Sequence, residues 1–134
     1  MSSEYNWHMP SNPNRFEFQR AVEECQKVCE YLKTAATPVH LGGWDGSGEP
    51  LFTPSLISFN GRHDSAQTFQ IRFDGSGPNS CDTDSLQYDI AVRCCLLIFE
   101  EQVNGFTYTG GPSREAWEYS RALIENARTN ASDS

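Results

Sequence analysis

The sequence predicts an α+β domain: a small mixed three-stranded sheet packed by a buried central helix and a C-terminal helix, with an added N-terminal helix. Three observations carry this. From Ile90 to Phe99 (IAVRCCLLIF) the only strongly polar residue is Arg93, the pattern of a helix covered on most of its surface. Thr68 to Phe73 alternates, setting Phe69, Ile71 and Phe73 on one face of a strand. Toward each end of the chain, apolar residues recur at three- and four-residue steps, as one stripe of a helix does. A length of 134 residues fits one domain with a real core.

In order, residues 1–12 read as a flexible polar N-terminus. Asn12-Pro13 pairs an N-cap with proline at the first helical position, so a helix is predicted over 13–36, ended by Thr37-Pro38. Phe18, Val22, Cys25, Cys29, Leu32 and Ala36 form its apolar stripe, with Glu23, Glu24, Gln26, Lys27 and Glu30 on the other side. That stripe suits packing within the domain, or a homo-oligomer seam against a second copy. Val39 to Pro54, with four glycines, two prolines and Trp44-Asp45-Gly46, reads as a loop or irregular hairpin. Trp44 in such a loop is expected to close over one end of the core; the sharper reading is recognition of a partner.

Strands are predicted over 55–59 and 67–73, with the Asn60-Gly61 turn pair between them. Residues 74–85 read as loop. The central helix is predicted over 85–103, capped by Asp84 with Gln87 three residues on and stopped by Asn104-Gly105. A third strand follows over 106–109, broken by Gly110-Gly111-Pro112. If it runs parallel to the second strand, the central helix is a right-handed crossover between them. Ser113 then caps a helix over 113–127, with Glu115 in its first turn. Its core face is Ala116, Ser120, Leu123 and Ala127, flanked by Trp117 and Ile124. Residues 128–134 read as a flexible tail.

The formal net charge of -8 excludes a broad basic surface for nucleic acid. The acids are spread out, the longest runs being Glu23-Glu24 and Glu100-Glu101, which disfavours nucleic-acid mimicry. No apolar run approaches the roughly 18 residues of a membrane span, and MSSEYNWHMPSNPN has no signal-peptide core, so the expected setting is the cytosol. The five cysteines are then free thiols, with Cys25, Cys29, Cys94 and Cys95 acting as small hydrophobes at helical core positions.

Chemistry is sparse. Cys81 and Thr83 lie just before the central helix, where a helix N-terminus favours anions and thiolates. Asp82 and Asp84 oppose thiolate formation, and His8, His40 and His63 stand at no informative spacing. Local packing and capping is the plainer reading of that loop. Cys25 and Cys29 share a helix face but lack a second ligand pair for zinc. Asp74, Asn79, Asp82 and Asp84 do not follow the EF-hand spacing. No phosphate-loop or dinucleotide glycine signature is present. No catalytic residue, metal ligand or cofactor is therefore assigned. Arg93 must find a partner inside the core. Asp89 one turn earlier suits an ion pair, and the sharper alternative is a pocket in which Arg93, Arg72, Tyr88 and Trp117 hold a small anion.

From about Leu56 to Ala127 an order of short motifs stands out. It runs Phe59-Asn60-Gly61, Thr68-Phe69, Cys81 and Thr83, Tyr88-Asp89, then Gly111 and an early helical Trp117. In this order the chain resembles a family of small proteins encoded by bacteriophages and phage-derived regions of bacterial genomes. It departs at Gly110, where members often carry an acid, and at Leu86-Gln87, where many carry Lys-Pro. The 13–36 helix and the Trp44 loop look like additions. The family has no settled activity, so the resemblance implies a phage origin and a host-cell cytosol.

The resulting expectation is a non-enzymatic binding protein that antagonises a host defence system by engaging a host protein. Alternatives are oligomeric sequestration of a nucleotide signal, a virion or assembly role, and last an enzyme using Cys81 or the nearby carboxylates. Candidate partner- or ligand-binding residues are Trp44, Arg72, Cys81, Thr83, Tyr88, Arg93 and Trp117.

Overall fold

The computed structural model describes residues 4–132, with side chains through residue 130. The elements are β1 (Glu4–His8), α1 (Arg15–Leu32), β2 (Leu41–Gly42), β3 (Leu51–Thr53), β4 (Leu56–Gly61), β5 (Phe69–Arg72), β6 (Ser80–Asp82), α2 (Asp89–Gln102), β7 (Thr107–Gly110) and α3 (Arg114–Ser132). The fold is α+β, and its strands form two antiparallel sheets rather than one mixed sheet of three. One runs in the order β6-β1-β7; the other is built on β4, which pairs with β2, β3 and β5.

The N-terminal segment read as flexible forms a strand where it is described. Glu4–His8 is the central strand of the first sheet, pairing Tyr5 with Cys81 on one side and with Gly110 on the other. The alternation of Tyr5, Trp7 and Met9 explains it, because all three are buried in the core while Glu4, Asn6 and His8 face out. Residues 1–3 lie outside the described residues. Because β6 and β7 both oppose β1, they run parallel to each other, and α2 connects them. The predicted crossover thus starts from β6, inside the stretch read as loop, and not from β5.

Helix boundaries shift for local reasons. The N-cap of α1 is Asn14, not Asn12: its side chain accepts from the Glu17 N–H at 3.0 Å. The helix ends at Leu32, where Lys33 and Thr34 turn back three residues to Glu30 and Tyr31. Asp84 does not cap α2. Asp84 and Ser85 are left-handed (φ 53° and 58°), and the Asp84 N–H donates to Asp82 Oδ1 at 2.9 Å, making a turn that delays the helix to Asp89. The segment read as a flexible tail is helical through Ser132. Arg128 anchors it to Glu24, Glu101 and Glu125 at 2.8 to 3.1 Å. Residues 133–134 lie outside the described residues.

The three helices pack on one another around α2, whose Ala91 to Phe99 are all buried. The apolar stripe of α1 is covered within the chain: Phe18 meets Phe99 and Phe73 edge to face at 5.2 and 5.3 Å. The two sheets meet where Trp7 packs on Phe69, ring centroids 5.2 Å apart, and at Gln67. The Gln67 side-chain oxygen accepts from the Asp82 N–H at 2.9 Å, and its carbonyl accepts from Tyr88 Oη at 2.6 Å and Cys81 Sγ at 3.5 Å. Among the described residues no helix is long and apolar enough to cross a membrane.

Candidate recognition site

The β2–β3 connection presents Trp44 outward, 68% exposed, and fixes the backbone beneath it. Gly43 N–H donates to the Ser47 carbonyl at 2.7 Å, and Gly46 N–H to the Gly43 carbonyl at 3.0 Å. Asp45 Oδ1 accepts from the Ser47 N–H and hydroxyl at 3.0 and 2.6 Å, and these donors hold its carboxyl below its ordinary pKa. Gly46 supplies the positive φ (90°) that the turn needs, and a side chain there would strike the Gly61 carbonyl. The Trp44 carbonyl accepts from Asn60 Nδ2 at 3.1 Å and from the Thr68 hydroxyl. Arg62 ties the far side of the loop through the Gly48 carbonyl at 2.9 Å and Glu49 at 3.3 Å. The result is an indole held out from a pinned loop. The expectation that Trp44 closes over the core is overturned: the ring faces solvent and is not part of the core cluster.

Most of the other residues proposed as a site fasten the fold instead. Arg93 forms the expected buried ion pair with Asp89 and donates to Ser120 Oγ and Tyr5 Oη, both at 3.0 Å. Thr83 Oγ1 donates to Asp89 Oδ1 at 2.5 Å. Tyr88 is spent on the Gln67 carbonyl, and Trp117 Nε1 donates to the Gly110 carbonyl at 3.2 Å while its ring packs on Tyr5 and Tyr108. Arg93 and Trp117 meet through Tyr5, but Arg72 lies on β5, in the other sheet. The four residues do not converge on one anion pocket. Gly110 has φ 105° and lies against the Glu4 carbonyl, leaving no room for a side chain.

Cys81 is buried on β6, not exposed at a helix N-terminus, and burial pushes its thiol up to about 12. Cys25, Cys29, Cys94 and Cys95 are buried likewise, with desolvation raising all of them and, for Cys29, a hydrogen bond with Cys95 foremost. A thiol held protonated is a poor nucleophile. Among the described residues no group of three or more His, Cys, Asp or Glu side chains is placed to hold a metal. Asp74 is occupied by Ser76, and Asn79 donates to the Gly75 carbonyl.

Sequence reasoning missed the residues that make the Trp44 loop rigid. They are Asn60 and Thr68, both of which donate to the Trp44 carbonyl. No protein-family model, curated protein or solved structure matches the chain.

Proposed function

We propose that this chain is a non-enzymatic binding protein whose anchor is Trp44. The observation that carries the reading is a large indole left 68% exposed on a loop pinned at its own carbonyl. Exposed indoles on rigid loops are favoured interface anchors, because a fixed backbone loses little entropy on docking. Burying this ring against a partner contributes about 3 kcal/mol of apolar transfer. The protonated, buried thiols support a binding role over a thiol enzyme. A phage origin, a host-protein target and antagonism of host defence rest on the motif resemblance and complete the proposal.

The test is affinity capture from a lysate of the producing cell by wild-type protein, Trp44→Ala and Arg121→Ala. The reading requires one partner retained by wild type and Arg121→Ala and lost by Trp44→Ala at unchanged thermal stability. Equal capture by all three removes Trp44 as the anchor.

A further inference from the structure

At the opposite end of β4 from Trp44, a cleft of about 420 Å³ opens between the start of α1 and the β4–β5 pair, lined by Arg15, Ser55, Leu56, Arg72, Phe73 and Asp74 among others. Its volume is that of a small-ligand site. The chain carries ten Lys and Arg against eighteen Asp and Glu, so carboxylate partners are plentiful. Lys33, Arg62, Arg93, Arg114 and Arg128 take one, while the scattered Arg20, Lys27 and Arg121 make no close ion pair among the described residues. Arg15 and Arg72, facing the same cleft, make no ion pair among the described residues.

Each guanidinium is positioned by contacts that leave most of its donors unused. Arg15 lies over the Phe73 ring, 4.0 Å from the centroid, and its Nη1 reaches Ser55 Oγ at 3.5 Å. Arg72, the register partner of Leu56, reaches Gln70 Oε1 at 3.5 Å and feels the Asp74 carboxylate without a direct hydrogen bond to it. With five N–H donors per guanidinium, both forks are largely free. The Ser55 carbonyl accepts from the Phe73 N–H at 2.9 Å, which holds its backbone beside β5, and its hydroxyl, next to Arg15, can donate. Asp74, on the rim, accepts from the Ser76 N–H and hydroxyl at 2.9 and 2.6 Å, which ties it to its own turn.

We propose that this cleft binds the phosphate group of a small phosphorylated molecule. One fork satisfies a carboxylate; two forks and a hydroxyl from separate walls match an oxyanion with three free oxygens. The Asp74 carboxylate at the rim opposes any anion, and the chain's formal net charge of -8 weighs most against a polyanion, which favours a small phosphate over a nucleic-acid backbone. Leu56 and Phe73 give the organic part an apolar wall.

The experiment is calorimetry and amide NMR on the full chain with phenyl phosphate, inorganic phosphate, acetate and a single-stranded DNA oligonucleotide. Phenyl phosphate and inorganic phosphate should saturate with shifts centred on Arg15, Ser55 and Arg72, and acetate should bind more weakly. Arg15→Gln and Arg72→Gln should each weaken phosphate at least about tenfold, the loss of a charge-assisted hydrogen bond, while Arg121→Gln leaves it unchanged. Arg15 is exposed, so its variant decides the matter if Arg72→Gln fails to fold. Absence of saturable phosphate binding, or binding indifferent to Arg15→Gln, overturns the site. Acetate bound as tightly overturns the phosphate assignment, and DNA bound more tightly overturns the small molecule. Trp44→Ala should bind phosphate normally, so the two sites fail independently.

Discussion

The Tyr5 hydroxyl donates to Asp89 Oδ1 at 2.7 Å, joining residues 84 apart in the chain and fastening the central strand of one sheet to the first turn of the buried helix. Asp89 also receives Thr83 and Arg93, and Arg93 reaches on to Ser120. One buried carboxylate thus gathers β1, the loop before α2, α2 itself and, through Arg93, α3. Removing one member of such a pair leaves an uncompensated charge in the core.

Asp89→Ala should therefore lower stability by about 3–5 kcal/mol in urea unfolding. Replacing both charges, Asp89→Leu with Arg93→Met, should be less damaging than Asp89→Ala alone, since no buried charge is then stranded. A double variant worse than the single would show that the network adds more than charge compensation.

Removing residues 1–8 takes out the strand that both β6 and β7 pair with. The shortened chain should lose cooperative unfolding, because Tyr5 and Trp7 leave the core with the strand. Trp7→Ala in the full chain should cost about 3–5 kcal/mol. A truncated protein with the parent's melting temperature would contradict a structural N-terminus.

The contrast between what was legible and what was not follows the range of the interactions. The buried helix, the Asp89–Arg93 pair and the core cysteines of α1 and α2 are written in spacings of three and four residues. β1 is not, because its partners lie at Ser80–Asp82 and Thr107–Gly110, and EYNWH offers only two apolar residues, Tyr5 and Trp7, to show its alternation. Asp84 satisfies a capping pattern, yet the left-handed pair Asp84-Ser85 spends those residues on a turn. Motif residues read as a binding site, such as Thr83 and Tyr88, prove to be joints, since a hydroxyl's partner across the fold has no signature in the sequence. For Arg72, the missing information was its neighbour: Arg15, far away in sequence, shares its cleft.

The thiols and Tyr5 set a pH dependence. Burial raises Cys81 from 9.0 to about 12, and burial raises Tyr5 from 10.0 to about 12 against the opposing pull of Arg93. Both groups stay protonated in the fold and lose protons earlier when unfolded. Above pH 9 the unfolded chain therefore binds fewer protons, and stability falls as pH rises from about 9 toward about 12, by up to about 1.4 kcal/mol per unit for each group. Cys81→Ala should flatten that decline in urea titrations run at stepped pH. Below pH 9, a thiol reagent should label none of the five cysteines until the protein unfolds; fast labelling of Cys81 in the native state would contradict its burial.

Asn60 separates the two roles that meet at the Trp44 loop. Its side chain donates to the carbonyls of Trp44 and Ala66 and accepts from the N–H groups of Gly61 and Ala66 at 2.8 to 3.1 Å, while remaining only 2% exposed. Thr68 holds the same Trp44 carbonyl from β5's approach but is only partly buried, so it shares the pinning without the full burial. Asn60→Ala should strand buried backbone groups and lower stability by about 2–3 kcal/mol, whereas Thr68→Ala should stay within about 1 kcal/mol of wild type. Thr68→Ala is thus the variant that loosens the loop without unfolding the sheet. Its indole remains present and exposed, so a binding defect in Thr68→Ala, measured against wild type and Trp44→Ala with the captured partner, isolates the contribution of a pre-organised backbone. Partner affinity should fall to an intermediate level, with slower association if the loop must reorder before docking. Affinity equal to wild type would mean that the indole alone carries recognition and that the carbonyl clamp serves only the fold.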